Sequence, residues 1–330
     1  MICQKIKKIM MKKEDLRIVF MGTPEFAVAT LRALVEHRYN VVAVVTQPDK
    51  PVGRHGSVLQ PSAVKQYALE HGLPVLQPEK MKDPEFVEQL RAYEANLQVV
   101  VAFRMLPEVV WAMPEYGTFN VHAALLPQYR GAAPINWAVI NGETETGVTT
   151  FFLDHDIDTG RIIMQLPFAI PDEADVEYVY DGLMHLGAEI CLQTLDRIVA
   201  ADGHPESMAQ PEADDLKHAP KIFKETCEIN WQQSAKQVYD FVRGLSPYPG
   251  AWTTLVGSDG RETVLKIFRA TKTDRPSDGA GHIVTDRKHL YIAAADRLLQ
   301  IDELQLAGKK RMDAAAFLNG MKDIENYFVK

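Results

Sequence analysis

The chain has 330 residues, more than one hydrophobic core usually organises, so two domains are expected. Its composition, 46% hydrophobic and 24% charged, fits an ordinary globular protein, with no low-complexity tract and no obvious internal repeat. A formal charge of -8, taken on its own, argues against a nucleic-acid binder.

That average conceals an imbalance. From Lys221 to Lys330 there are 17 basic against 14 acidic residues, which leaves 19 against 30 in the part before. An anionic partner is therefore expected on the C-terminal third, although three charges are also within what any solvated surface shows. Cys3, Cys191 and Cys227 are odd in number and far apart, without metal-ligand spacing, which fits a reduced, cytoplasmic protein with no disulfide framework. No apolar run approaches the roughly 20 residues of a membrane span. The opening stretch to Glu14 is basic but has no apolar h-region or cleavage site, which excludes a signal peptide. It reads as a disordered tail, residues 1–14, or as the result of a start upstream of Met11.

In chain order, "LRIVFMG" from Leu16 to Gly22 is a short apolar run that reads as a strand, and Pro24 stands at a first helical position before "EFAVATLRALVEH". "NVVAVVTQ" and "LQVVVAF" are further β-branched runs, separated by the helical patterns "PSAVKQYALEHG" and "DPEFVEQLRAY". Such alternation predicts a doubly wound parallel sheet with helices on both faces. Its ligand belongs at the carboxyl ends of the strands, first at "MGTPEF". A single glycine stands there instead of G-x-G-x-x-G, which disfavours a nicotinamide dinucleotide. "GTFNVHAALLP" supplies another extended run, and a long helix is expected over "VEYVYDGLMHLGAEICLQTLDRIVA". Residues 203–220 are rich in Pro and acid and read as an interdomain linker. Beyond it come a helix over "QSAKQVYDFVRGL", a hairpin over "AWTTLVGSDGRETVLKIFRATKT", more short strands, and a helix over "RMDAAAFLNG" that closes a small β-barrel.

Alternation along "TFNVH" puts Asn120 and His122 on one face. A His exchanges a proton near neutrality, and an Asn amide donates to an oxygen that is gaining charge. In "FFLDHDIDTGRII", Asp154, Asp156 and Asp158 alternate, and Asp158 precedes the turn residues Thr159-Gly160. A carboxylate beside His122 would hold its ring. Taken singly, a His in a strand and an Asn before a turn are ordinary structural residues. "DHDID" also contains metal-type ligands, but no second His or Cys cluster accompanies them.

The spacing N-x-H-x-x-L-L-P-x-Y-R-G, followed downstream by D-x-x-x-D-T-G, resembles the folate-dependent formyltransferases. The resemblance implies that Asn120, His122 and Asp158 are the catalytic trio. It implies that Ala124, Leu125, Leu126 and Pro127, with Phe103 and Met105, line the site of 10-formyltetrahydrofolate, the formyl donor, and that no metal takes part. "MGTPEFAV", "QPDKPVGR", "YRGAAPINWAVINGETETGVT", "SPYPGAW" and "LAGKK" are similar to the members that act on charged tRNA.

That likeness implies initiator methionyl-tRNA as partner, with contacts from Arg54, Lys309 and Lys310. Lys221, Lys224, Lys266 and Arg311 are further basic candidates. It also implies a Rossmann-like catalytic domain over residues 15–204, a linker over 205–222, and an OB-like barrel over 223–330, in a cytoplasmic monomer without a membrane partner. Departures from the family pattern are Ala124 where Ser is usual, Arg104 beside the expected pterin pocket, and His55-Gly56-Ser57 where relatives carry lysines. The rival readings are a formyltransferase for a small amine, a non-catalytic nucleic-acid binder using the barrel alone, and a nicotinamide oxidoreductase.

Overall fold

The computed structural model describes residues 10–52, 58–212, 214–321 and 323–330. Cys3, most of the N-terminal tail and Arg54 lie outside the described residues. The chain forms two compact units. One takes up residues to Arg130, Gly147–Phe168 and Asp181–Lys217; the other takes Gly131–Thr146, Ala169–Tyr180 and His218–Lys330.

The first unit is built on a seven-stranded sheet. Its strands are β1 (Arg17–Gly22), β2 (Asn40–Val45), β3 (Val75–Leu76), β4 (Leu97–Val101), β5 (Thr118–His122), β6 (Glu145–Phe152) and β7 (Ile162–Ala169). They lie side by side in the order β7-β6-β5-β4-β1-β2-β3. The strands β3, β2, β1, β4 and β5 run parallel, as the alternating apolar runs require. The expected all-parallel sheet is broken at its far side, where β6 pairs antiparallel with β5. No covering helix of the first unit joins these two strands, so no right-handed crossover sets their direction.

Helices α1 (Glu25–Glu36), α2 (Ala63–Glu70), α3 (Pro84–Arg91) and α4 (Glu108–Trp111) fall between the early strands. Pro24 is the N-cap of α1 and Glu25 its first residue, one place later than the sequence reading put it. α3 and α4 cover one face through Phe86, Val87, Leu90 and Val110, which pack on Val19, Met21 and Val100. The long α6 (Val176–Ala200) crosses the opposite face, where a Cβ on Gly187 would touch Val121 and Phe26. Thr194 of this helix also bonds Thr150 of β6 at 2.8 Å. Helix α5 (Pro134–Ile140) belongs to the second unit.

The second unit is a nearly closed antiparallel barrel. Its strands are β8 (Ala251–Val256), β9 (Glu262–Pro276), β10 (Ile283–Thr285), β11 (Leu290–Ala293), β12 (Arg297–Leu306), β13 (Met312–Asp313) and β14 (Phe328–Val329). β9 reaches both neighbours by bending: its pairing with β12 shifts register at three places, and each shift coils the strand further. The sequence pattern ends the barrel on a helix, and α8 (Ala314–Gly320) does form. Closure comes instead from β14, which pairs with β8 while Val329 donates to the Gly281 carbonyl at 2.9 Å. Two residues are too few to show a period, so pattern alone misses this strand.

Helix α7 (Ala235–Leu245) plugs the barrel with Val238, Val242 and Leu245. It starts with a capping box, in which the Ser234 hydroxyl accepts from the Gln237 amide and the Gln237 side chain accepts from that of Ser234. A buried ion pair sits on the same helix: Arg243 Nε donates to Asp240 Oδ1 at 2.8 Å, with side chains 7% and 4% exposed. A second donor of Arg243 reaches the Ala174 carbonyl at 2.8 Å. Asp240→Ala would strand this guanidinium away from water. It is expected to cost roughly 3 to 5 kcal/mol, read as a lower denaturant midpoint; a loss under about 1 kcal/mol would show the pair to be dispensable.

Candidate active site

The site begins with the register of β5. Val100 of β4 and Phe151 of β6 stand directly beside Asn120, and Thr149 of β6 stands beside His122. These residues therefore share one sheet face, opposite the face on which α6 covers Val121. Asn120 is half-buried and His122 buried. The Asn120 side-chain oxygen is enclosed and has no hydrogen-bond partner. Such an atom costs free energy unless the site gives something in return, which makes Asn120 a candidate functional position.

The two ring nitrogens of His122 face different groups. Nε2 meets the Tyr129 carbonyl at 2.9 Å, and Nδ1 stands 3.9 Å from Asp158 Oδ2. A carbonyl only accepts, so Nε2 carries a hydrogen and Nδ1 is the nitrogen left to exchange a proton. The Phe151 ring meets the imidazole edge-on at 6.4 Å and limits its tilt. Asp158 comes from the loop between β6 and β7, not from a continuing strand. The apparent alternation of Asp154, Asp156 and Asp158 dissolves there, with the first two exposed to solvent.

That loop has unusual backbone. Asp158 has φ +56°, in the left-handed region that most residues avoid. Gly160 approaches the β6 backbone so closely that an added Cβ would lie 1.7 Å from the Phe152 carbonyl oxygen. The sequence signal Asp-Thr-Gly is therefore a steric requirement as well as a chemical one.

The loop after His122 folds back over the same sheet face. Thr149 Oγ1 donates to the Ala124 carbonyl at 2.7 Å and accepts from the Leu126 amide at 3.1 Å. Gln165 Nε2 donates to the Leu126 carbonyl at 2.9 Å. Leu126 packs with Phe151 and Ile162. Ala124 is fully buried, so its side chain serves packing while its backbone is held by Thr149. Leu125 and Pro127 are half-buried beside it. At the end of β4, Phe103 is half-buried and Met105 is 71% exposed. Arg104 does not leave a free charge there: its guanidinium turns back to the Pro78 and Glu79 carbonyls, and lies over the Phe103 ring at 5.6 Å.

Three supports were not legible in the chain order. Thr149, Gln165 and Gln210 act through bonds to backbone, and no spacing in the sequence announces which residue will meet them. Gln210 Nε2 donates to the carbonyls of Asp158 at 2.7 Å and Gly160 at 2.9 Å. It comes from the stretch read as a linker, where Met208 also forms a two-bond bridge with Ile162. Among the described residues no group of His, Cys, Asp and Glu is arranged to hold a metal ion. On the barrel unit, Lys309 and Lys310 are exposed in the turn after β12, and Lys221 and Lys224 are exposed ahead of the barrel strands; Lys266 is half-buried and donates to the Pro249 carbonyl at 3.0 Å. Arg311 is engaged by Glu303 and stacks on Phe268 at 4.2 Å.

Chemically, the face offers an amide, an imidazole and a carboxylate around one strand end, with buried walls and a backbone loop alongside. Such a set polarises a carbonyl and moves a proton without a covalent intermediate. Comparison with known proteins points the same way. Residues 16–195 match the family model for formyl transferase, and residues 221–322 match that for the formyl transferase C-terminal domain. The chain is 62% identical to a methionyl-tRNA formyltransferase of Parabacteroides distasonis, covering 97% of this chain and all of the relative. It is 58% identical to one of Bacteroides fragilis, covering 97% and 99%. Among solved structures, HypX from Aquifex aeolicus, in complex with tetrahydrofolic acid, superposes with TM-score 0.61 at 19% identity over 93% of this chain and 48% of that one. WlaRD, a sugar 3N-formyl transferase, gives TM-score 0.61 at 17% identity over 89% and 99%. At such identities these two likenesses speak for the fold alone.

Gly160→Ala tests the loop. Overpacking against the Phe152 carbonyl is expected to cost roughly 1 to 3 kcal/mol, measured as a lower midpoint of thermal or denaturant unfolding; unchanged stability would mean that the loop relaxes freely.

Proposed function

The chain belongs to the formyl transferase family, and from that premise we propose that Asn120, His122 and Asp158 carry its chemistry. It transfers the formyl group of 10-formyltetrahydrofolate to the α-amino group of methionyl-tRNA, giving N-formylmethionyl-tRNA. The acceptor in this reading is the initiator tRNA, and the product serves translation initiation. The observation that carries the assignment of residues is the shared face: His122 and Asp158 within 3.9 Å of one another, with Asn120, its side-chain oxygen unpartnered, two residues from His122 on the same side.

An α-amino group has a reference pKa of about 7.7 to 8.0, so part of it is neutral and nucleophilic near neutrality. As its nitrogen bonds to the formyl carbon, the formyl oxygen gains negative charge. Asn120 donates to that oxygen, and His122 donates through Nδ1 in its protonated form. Asp158 holds the His122 ring and helps collect the proton that the amine sheds. The proton passes to the departing folate nitrogen as its bond to carbon breaks, and the carbonyl reforms. Ala124, Leu125, Leu126 and Pro127, with Phe103 and Met105, line the folate side. The buried apolar wall and fixed backbone of that loop suit a flat heterocycle that needs both stacking and main-chain hydrogen bonds.

We assign catalysis to the sheet domain, expected over residues 15–204 and joined in the structure by the stretch to Lys217, and the holding of tRNA to the barrel over 223–330, in a cytoplasmic monomer. No helix among the described residues is long and apolar enough to cross a membrane. A body with net negative charge needs a local basic surface to hold tRNA, and the exposed Lys309 and Lys310 supply one, with Lys221, Lys224 and Lys266 as further contributors. Arg54 joins them in this reading.

Purified protein incubated with 10-formyltetrahydrofolate and either methionyl-tRNA or a panel of small amines should formylate the tRNA; preferential formylation of an amino sugar would redirect the reading. Asn120→Ala, His122→Ala and Asp158→Ala are each expected to lower turnover at least about a hundredfold, the scale of a lost oxyanion donor at roughly 3 to 4 kcal/mol. Near-normal turnover in a folded Asp158→Ala variant would remove that carboxylate from the mechanism. Separately, Lys309→Ala with Lys310→Ala should flatten the dependence of log tRNA affinity on log salt by about one to two units of slope. An unchanged slope would place the contacts elsewhere.

A further inference from the structure

Beyond the three groups that meet substrate, the bonds around them close into a ring. His122 Nε2 donates to the Tyr129 carbonyl at 2.9 Å. The next residue, Arg130, donates Nε and Nη2 to Gln210 Oε1 at 3.0 and 2.6 Å. Gln210 Nε2 donates in turn to the Asp158 carbonyl at 2.7 Å and to that of Gly160 at 2.9 Å. Asp158 Oδ2 then faces His122 Nδ1 at 3.9 Å. Three hydrogen-bonded links thus fix the fourth, which is the contact the reaction uses.

The chemistry leaves no freedom in the orientation of Gln210. A guanidinium only donates and a carbonyl only accepts, so the amide oxygen must face Arg130 and the amide nitrogen must face Asp158 and Gly160. Both backbone anchors sit in the left-handed region, Tyr129 at φ +61° and Asp158 at φ +56°. A bulky Tyr at positive φ persists only where its surroundings over-determine it. Here the surroundings are the stretch that composition marked as a linker. Its Lys217 carbonyl accepts from the Tyr129 amide at 2.6 Å, and its Lys217 amide donates to Gln128 Oε1 at 2.8 Å. Arg161 also bonds the Ser207 hydroxyl at 3.0 Å.

We propose that Gln210, braced by Arg130, is a positioning residue for formyl transfer, and that Ser207, Met208, Gln210 and Lys217 anchor a strap which sets the distance between His122 and Asp158. This rests on the reading of His122 and Asp158 as catalytic. Gln210 touches neither substrate in that reading. It acts by holding the backbone that aims the carboxylate, and small misplacements of a reacting group are costly in rate.

The test uses the full chain with 10-formyltetrahydrofolate and methionyl-tRNA. Gln210→Ala removes both links. Gln210→Glu keeps the link to Arg130 as an ion pair but turns an acceptor toward the Asp158 and Gly160 carbonyls. Both variants are expected to lower kcat by about tenfold to a hundredfold, with KM for tRNA and for folate within about twofold of the parent. Where the Ala variant does not fold, the Glu variant carries the measurement. A double-mutant cycle separates positioning from general support: in an Asp158→Ala background, the Gln210 substitutions should cost less than about twofold further, because the group they aim is gone. A kcat within twofold of the parent for both variants, or the same loss with and without Asp158, overturns the proposal. A folded Asp158→Ala variant with full turnover would instead overturn the underlying reading, so the two failures are told apart.

Discussion

The constraint on which this site depends is that one strand pairs with neighbours of opposite direction. β5 lies parallel to β4 and antiparallel to β6, so it stands where the parallel sheet ends. The loop leaving β6 therefore starts beside the amino end of β5, where Phe152 pairs with Phe119, and it doubles back so that Asp158 arrives beside His122 although the two are far apart in the chain. Had β6 run parallel to β5, its exit would have lain at the carboxyl end of β5 instead. The helices on both faces, the buried threonines of β6 and the left-handed turns all serve to keep this junction in place.

Much of the architecture was legible because it is repetitive. Residues such as Val19, Val44 and Val99 sit in continuous apolar runs, and strands buried on both faces have no other composition open to them. Asn120 and His122 were also legible, since a spacing of two in an extended segment leaves only one arrangement of faces. Asp158 was found by its company in the motif, though the alternation that drew attention to it belonged to a turn. What could not be read were the contacts made by side chain to backbone across long separations. Gln210 looks like any polar residue in a Pro-rich stretch, and its role arises only when the Asp158 carbonyl comes within reach. The reversed strand β6 was missed for a related reason: direction is set by the connection, which periodicity does not report.

The two units divide the electrostatic work. Acidic residues dominate the part of the chain that carries the sheet, while the barrel side holds the excess of Lys and Arg. Some of that excess is already committed, as with Arg311 on Glu303 and Arg243 on Asp240. The exposed Lys309 and Lys310 lie in a turn that ends a long strand, where a polyanion can approach without disturbing the barrel core. Local charge, not the total, is what makes a net-acidic protein compatible with a nucleic-acid substrate.

The strap also bears on how this protein can be dissected. Residues rich in Pro and acid are the customary place to cut a chain or to insert a tag. Here a cut at residue 204 would sever Ser207, Met208, Gln210 and Lys217 from the sheet unit they hold. A fragment meant to carry the catalytic face on its own has to extend through Lys217.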